Sequence, residues 1–183
     1  YDDSMCLIKL VENLLSVSRL EEGGMILHIS TELIDEVVAE ALRHVDRRRT
    51  QYELHVQNSE DYLLAQIDAK LIVQVLINLI NNAISFTGEG KRVTVRQNIT
   101  ASQVRIDVID YGVGIPPEEM DSIWDRYYSK KTPHRRAVIG TGLGLSIVKE
   151  ILQLHNAAFG VDSELEKGSD FWFILPLDRE ETL

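Results

Sequence analysis

Asn78 and Asn82 stand four residues apart in the segment N-L-I-N-N-A at 78–83. On a helix that spacing puts both amides on one face. Asparagine is a poor helix former. A pair on one edge therefore reads either as amide oxygens aimed at a ligand shell or as a solvated helix edge. In the first reading one oxygen suits Mg²⁺, a hard ion that takes oxygen ligands and keeps several waters. Asp110 opens D-Y-G-V-G-I at 110–115, at the end of an apolar strand pattern. A carboxylate there can accept hydrogen bonds from an exocyclic amine such as that of adenine. Gly112 and Gly114 would let the backbone approach the ring. The same residues also suit an ordinary turn with an Asx cap.

Two further runs carry chemistry. Gly140, Thr141, Gly142, Leu143 and Gly144 precede an amphipathic pattern. Glycines before a helix N-terminus expose backbone N–H groups to phosphate, and the helix dipole assists. Their spacing is G-x-G-x-G, with Leu145 in the last slot of the dinucleotide pattern, and no Walker-type run occurs. The alternative is a flexible hinge. Trp124, Arg126, Tyr127 and Tyr128 lead into Lys130, Lys131, His134, Arg135 and Arg136. Cations gathered in one loop can neutralise a triphosphate, and the aromatics can anchor the loop or stack on a base. The alternative is an amphipathic helix with a solvated basic tail.

The elements that must hold these residues follow from periodicity. Apolar residues at three- and four-residue steps from Asp3 to Leu20 predict a helix, stopped by Gly23 and Gly24. Met25 to Ser30 alternates as a strand, and Thr31 is placed to cap a helix running to about Arg48. Strands are expected at Gln51–Val56 and Leu63–Ile67. Asp68 then caps a helix whose apolar pairs recur every four residues from Leu71 to Ile84. A hairpin is predicted from Arg92–Ile99 and Val104–Ile109. Pro116 and Pro117 open a helix to about Tyr128, and Ser129–Ile139 reads as a loop. The glycine run leads into a helix ending near His155, followed by strands at Ala158–Ser163 and Ser169–Leu175. Helices and hairpins grouped in this order predict an α+β fold, a two-layer α/β sandwich with helices on one face of a mixed sheet.

With 183 residues, the sequence fits one domain or one domain with a short appendage. It carries 19 Lys and Arg against 29 Asp and Glu, a net charge of −10. That balance disfavours nucleic acid and anionic membrane as main partners. Cys6 is the only cysteine, so no internal disulfide can form, which suits a reducing compartment. No apolar run is read as a membrane span, and no signal peptide is read. The start at Tyr1, inside a helical pattern, predicts that the sequence is a piece of a longer protein.

In this order the motifs resemble the ATP-binding domain of bacterial sensor histidine kinases, in the superfamily that includes DNA gyrase B and MutL. The resemblance runs from about Leu7 to Pro176. It rests on N-L-x-x-N-A at 78–83, D-x-G-x-G-I at 110–115, I-W-D-R-Y-Y at 123–128 and G-T-G-L-G-L-S-I-V-K at 140–149. Residues 11–23 resemble the second helix of the dimerisation domain and its exit, and 167–176 resemble the closing strand. The implied organisation is a truncated dimerisation hairpin at 1–22, an ATP-binding domain at 23–178 with a lid at about 129–143, and a tail at 179–183. The lead-in and the helix from Thr31 are similar to those of potassium-responsive kinases. The later half is generic, so no subfamily is assigned.

The resemblance implies roles. Asn82 would bind Mg²⁺. Asn78 matches a position where gyrase-like relatives carry a water-activating glutamate; an amide cannot act as that base. Asp110 would bind the adenine amine, with Gly112 and Gly114 shaping its pocket and Phe86 and Tyr128 lining the site. Gly140, Thr141, Gly142, Leu143 and Gly144 would hinge the lid and approach the phosphates. Arg126 would reach the γ-phosphate, and Lys130 or Lys131 would supply a cation. The implied reaction is γ-phosphoryl transfer from Mg-ATP to a histidine, achieved by positioning and charge neutralisation.

The implied partners are the histidine-bearing dimerisation helices and a response regulator, with no nucleic acid and no direct membrane contact. The implied location is cytoplasmic, with the longer protein open to anchoring in the inner or plasma membrane of a bacterium; a lone copy of this chain is expected to be a monomer and the longer protein a homodimer. Departures from the family pattern are Ser85 and Phe86 where Lys and Tyr are usual, Ser129 where Arg is usual, and Asn156 and Ala157 after His155 where two glycines are usual. None of the histidines at 28, 44, 55, 134 and 155 lies in a phosphoacceptor context. Two other readings remain. One is a nucleotide-binding module that regulates with little kinase activity, favoured by Ser85 and Ser129. The other is a gyrase-like ATP hydrolase, opposed by Asn78.

Overall fold

The longest helix is set by its apolar stripe. In the computed structural model, Ile72, Val75, Leu76, Leu79, Ile80, Ala83 and Ile84 are buried along one side of a helix spanning Ala69–Phe86. Each large aliphatic side chain so buried contributes roughly 1.5–3 kcal/mol. The structure describes residues 15, 18–19, 22–23, 26–45, 53–57, 62–87, 92–100, 102–126, 128 and 142–178. Of the N-terminal helix expected from Asp3, only Leu15, Ser18 and Arg19 lie among these, and they are helical. The tail at 179–183 and the loop residues 129–141, including Lys130, Gly140 and Thr141, lie outside them.

Along the chain the elements are β1 (Ser30–Leu33), α1 (Ile34–His44), β2 (Glu53–Gln57), β3 (Leu64–Ile67), α2 (Ala69–Phe86), β4 (Arg92–Ile99), β5 (Gln103–Asp110), α3 (Gly144–Leu154), β6 (Phe159–Glu164) and β7 (Gly168–Pro176). Five strands form a mixed sheet in the order β2-β4-β5-β7-β6. Its β2–β4 pair is parallel and the rest antiparallel. β1 and β3 form a separate antiparallel ribbon, tied to the end of β7 by Asp178 N–H donating to Leu64 O at 2.8 Å. α2 packs between α1 and α3 and lies against β4 and β5. Val95, Val108 and Phe171 are neighbours across three strands and face the helices. The expected two-layer α+β sandwich is the observed one.

Three local expectations are corrected. Residues 26–29 belong to no strand, and the strand begins at Ser30. Thr31 does not cap a helix: it lies in β1, where its Oγ1 accepts from Gln66 Nε2 at 2.5 Å. The helix begins at Ile34 without a side-chain cap, because Leu63 O takes the Ile34 N–H at 2.9 Å. The helix expected after Pro117 is instead two 3₁₀ turns, Pro117–Glu119 and Ser122–Trp124. These turns seat the Trp124 ring edge-on to Phe159 and Phe171, with centroids at 5.1 and 5.7 Å. In addition, α2 is long and apolar enough by length and composition to cross a bilayer, but its apolar stripe is the core contact.

Asp68 fixes the start of α2. Its Oδ1 accepts from Leu71 N at 3.3 Å and its Oδ2 from His28 N at 3.0 Å. Its own N–H donates to His155 Nε2 at 3.1 Å, while His155 Nδ1 donates to Ile151 O at 2.8 Å. The carboxylate thus joins the entry segment to α2, and the backbone joins α2 to the end of α3. Asp68→Ala removes the cap and strands the partly buried His28 N–H. The expected loss is about 2–3 kcal/mol, read as a lower urea midpoint.

The sheet face away from the helices carries a charge network. Asp107 is fully buried, accepting from Arg105 Nε at 2.6 Å and from Asn98 Nδ2 at 2.6 Å. Asp170, on β7 beside it, lies no closer than 3.6 Å to Arg105 and 3.7 Å to Arg96, and its buried Oδ1 has no hydrogen-bond partner. Burial, and then repulsion from Asp107, push the Asp170 carboxyl up to about 6. The folded chain therefore holds this proton more tightly than the unfolded chain. That contribution is complete below about pH 4 and is lost as pH rises through about 6. Asp170→Asn is expected to raise stability at pH 8 by about 1–2 kcal/mol and to lose the advantage below pH 4. Urea denaturation at the two pH values reads the difference.

Candidate functional site

The C-terminal end and the middle of α2 meet the segments singled out by sequence. At the C-terminal end, Phe86 and Thr87 touch the turn after β5. A Cβ on Gly112 would stand 2.1 Å from Phe86 O, so no side chain fits there. Thr87 Oγ1 accepts from Tyr111 N at 3.3 Å, and the Arg92 guanidinium lies 5.5 Å above the Tyr111 ring. Asp110 ends β5 at 4% exposure. Its Oδ1 accepts from Gly112 N at 2.9 Å, and Ser169, its register partner on β7, donates a second backbone N–H to the carboxylate. Burial raises the Asp110 carboxyl above its ordinary range, and these two donors oppose the shift. Gly114 adopts φ +72°, a left-handed conformation that favours glycine, with Glu164 O packed against it.

Midway along α2, Asn78 faces the start of α3. The Cβ position on Gly144 lies 3.7 Å from Asn78 Oδ1. Asn78 Nδ2 is buried with no hydrogen-bond partner. A buried amide donor left unpaired costs about 1–3 kcal/mol, so it marks a place where an acceptor is wanted. Asn82 sits one helical turn nearer Asp110 and is half-buried. From Asn78 to Phe86 the helix rises about 12 Å at 1.5 Å per residue. The site thus has a backbone-donor end at α3, two amides on α2, and a buried carboxylate at the far end.

The other expected residues divide. Phe86 is 42% exposed and stands at the carboxylate end. Gly142 precedes α3 at φ +67°, and Gly144 is its first residue. The Leu143 side chain is 1% exposed and belongs to the core, which leaves only its main chain to line a site. Tyr128 packs against the core and its hydroxyl donates to Glu119; burial and that carboxylate push the phenol up to about 12. Arg126 pairs with Glu150 at 2.8 Å, more than a turn beyond the N-terminus of α3. Of the aromatic run, Trp124 anchors the segment to β6 and β7. Lys130, Gly140 and Thr141 lie outside the described residues. Thr87, Ser163 and Ser169, which hold the Asp110 turn from beneath, carried no signal in the sequence, because sheet register sets the partners of the two serines and the packing of the α2 C-terminus sets that of Thr87.

Fold and candidate site together describe an α+β sandwich with the candidate polar groups strung along one central helix. Comparison with known proteins agrees. Residues 67–179 match the family described as histidine kinase-, DNA gyrase B-, and HSP90-like ATPase. The sensor protein KdpD of Clostridium acetobutylicum is 32% identical over 176 residues, covering 96% of this chain and 20% of that protein. The mycobacterial sensor histidine kinase MprB superposes with TM-score 0.72 at 27% identity, covering 82% of this chain and all of that one. Full-length ShkA, solved in complex with AMPPNP, gives TM-score 0.80 at 26% identity over 95% of this chain and 36% of its own. The chain belongs to the histidine kinase-, DNA gyrase B-, and HSP90-like ATPase family. Within it, the fold is that of histidine kinase catalytic domains, and the chain spans about a fifth of the length of its KdpD relative.

Proposed function

We propose that the chain is the ATP-binding catalytic part of a two-component sensor histidine kinase, donating the γ-phosphoryl of Mg-ATP to a histidine on the dimerisation helices of the whole protein. The observation that carries this reading is the arrangement along α2. The unpartnered Asn78 amide faces the helix terminus at Gly144, and Asp110 closes the other end. Asp110 accepts from the adenine amine while Gly112 keeps the wall flat. The backbone N–H groups around Gly142–Gly144 hold phosphate, aided by the α3 dipole. Asn78 donates its free N–H to a phosphate oxygen. The amide oxygen of Asn82 suits Mg²⁺, which would neutralise phosphate charge when bound with the nucleotide. Because Asn78 cannot take a proton from water, the site favours transfer over hydrolysis.

In the transfer, a histidine nitrogen bonds to the γ-phosphorus as the bridging P–O bond breaks and ADP leaves. The phosphoryl then passes to a response regulator. The catalytic part works in the cytoplasm as half of a homodimer, and this chain alone is a monomer. The structural likeness to ShkA, solved in complex with AMPPNP, supports nucleotide use.

The test supplies a helical hairpin bearing a phosphoaccepting histidine together with γ-labelled ATP. Acid-labile, base-stable label on the hairpin is expected. Nucleotide binding without transfer would instead favour a regulatory module with little kinase activity. The Arg126–Glu150 pair and Ser85 are the observations on that side.

A further inference from the structure

Ser163 lies on β6, outside every motif that marks the site, yet its hydroxyl is the junction of three segments around Asp110. Ser163 Oγ accepts from Ile115 N at 2.8 Å. It donates to Gly168 O at 2.9 Å and lies 2.9 Å from Ser169 Oγ. A serine hydroxyl has one donor and two acceptor sites. With the proton given to Gly168 O and one lone pair to Ile115 N–H, the Ser169 hydroxyl must donate to the other, so the group is fully used. Ser169 is the residue opposite Asp110 in register. Glu166 N donates to Val113 O at 2.9 Å, and Gly114 packs on Glu164 O. The turn after β5 is therefore latched to the β6–β7 turn, and Ser163 supplies the side-chain link of the latch.

We propose that Ser163 is a positioning residue for purine recognition: its hydroxyl holds the Gly112–Ile115 turn at the height at which Asp110 meets the base. The proposal rests on the nucleotide reading above and deepens it. Removing the hydroxyl strands the Ile115 N–H and lets the turn drift from β6. Asn78, Asn82 and the start of α3 stand on other elements and keep their places. The loss therefore falls on base recognition and leaves the phosphate end intact.

Titration of Ser163→Ala with Mg-ATP and Mg-GTP tests this, with Ser163→Thr and Ser163→Cys measured alongside. ATP affinity is expected to fall about tenfold, one hydrogen bond's worth at 1.4 kcal/mol per decade. GTP affinity stays within twofold. Ser163→Thr, which restores a hydroxyl, recovers the ATP:GTP ratio, and Ser163→Cys, of similar shape but a weak acceptor, does not. An unchanged ratio in Ser163→Ala overturns the proposal, as does equal loss of both nucleotides in step with a lower urea midpoint. If the alanine variant does not fold, the ratio in Ser163→Cys decides by the same criterion. A wild-type chain that binds neither nucleotide overturns both this assignment and the functional reading.

Discussion

Asp110→Ala is expected to abolish the preference for ATP over GTP and to lower ATP affinity by about 10- to 100-fold. The estimate follows from one charge-assisted hydrogen bond, worth roughly 1.5–3 kcal/mol, between a buried carboxylate and the exocyclic amine. Its strength comes from the setting. The carboxylate is 4% exposed, and Gly112 and Ser169 donate backbone N–H groups that fix its plane. GTP presents a carbonyl oxygen where ATP presents the amine, so the carboxylate rejects it, and the alanine has nothing to reject it with. Burial also makes the acid form of Asp110 easier to reach than for an exposed aspartate. ATP affinity should therefore decline on acidification from a higher pH than an exposed carboxylate would give, and this decline should vanish in the variant. Competition binding at several pH values measures both effects. A variant that still prefers ATP would remove Asp110 from adenine recognition.

Asn82→Ala is expected to weaken magnesium-dependent ATP binding by at least about tenfold, the scale on which altered metal environments act. Binding measured in chelator should change little, since the lost oxygen serves the ion. Asn82 is half-buried on the same helical face as Asn78, and among the described residues no cluster of three or more His, Cys, Asp or Glu is placed to hold a metal. A site built from one amide, substrate phosphates and water matches the chemistry of Mg²⁺, which dehydrates reluctantly. Equal loss with and without magnesium would reassign Asn82 to direct phosphate contact. Phosphoryl transfer should fall further than binding, because a misplaced γ-phosphate costs rate as well as affinity.

Much of this site was legible because its parts are local. The spacing of Asn78 and Asn82 and the cap that Asp68 gives Leu71 each need only a few neighbouring residues to express their geometry. The hairpin at Arg92–Asp110 was legible for the same reason. Expectation failed where a distant segment supplied the hydrogen bond. Thr31 looked like a cap, but Gln66 took its hydroxyl and Leu63 O replaced its function at Ile34. Pro116 and Pro117 promised a helix, but seating Trp124 against Phe159 and Phe171 required two tight turns.

The hidden layer beneath Asp110 has the same character. Ser163 and Ser169 are ordinary polar residues until register brings them under the turn, and Thr87 until the end of α2 packs on it. The outer-face carboxylates were likewise silent. Asp107, Asp162 and Asp170 are spread over three strands, and only pairing gathers them around Arg105. Glu150, the carboxylate partner of Arg126, likewise gave no sign in the motif.

The most direct test of the central claim is calorimetric titration of the folded chain with ATP, with and without Mg²⁺, and with GTP as control. The account predicts saturable binding that tightens with magnesium and strongly favours ATP. A folded chain that takes up no ATP, or takes up ATP and GTP alike, would contradict it.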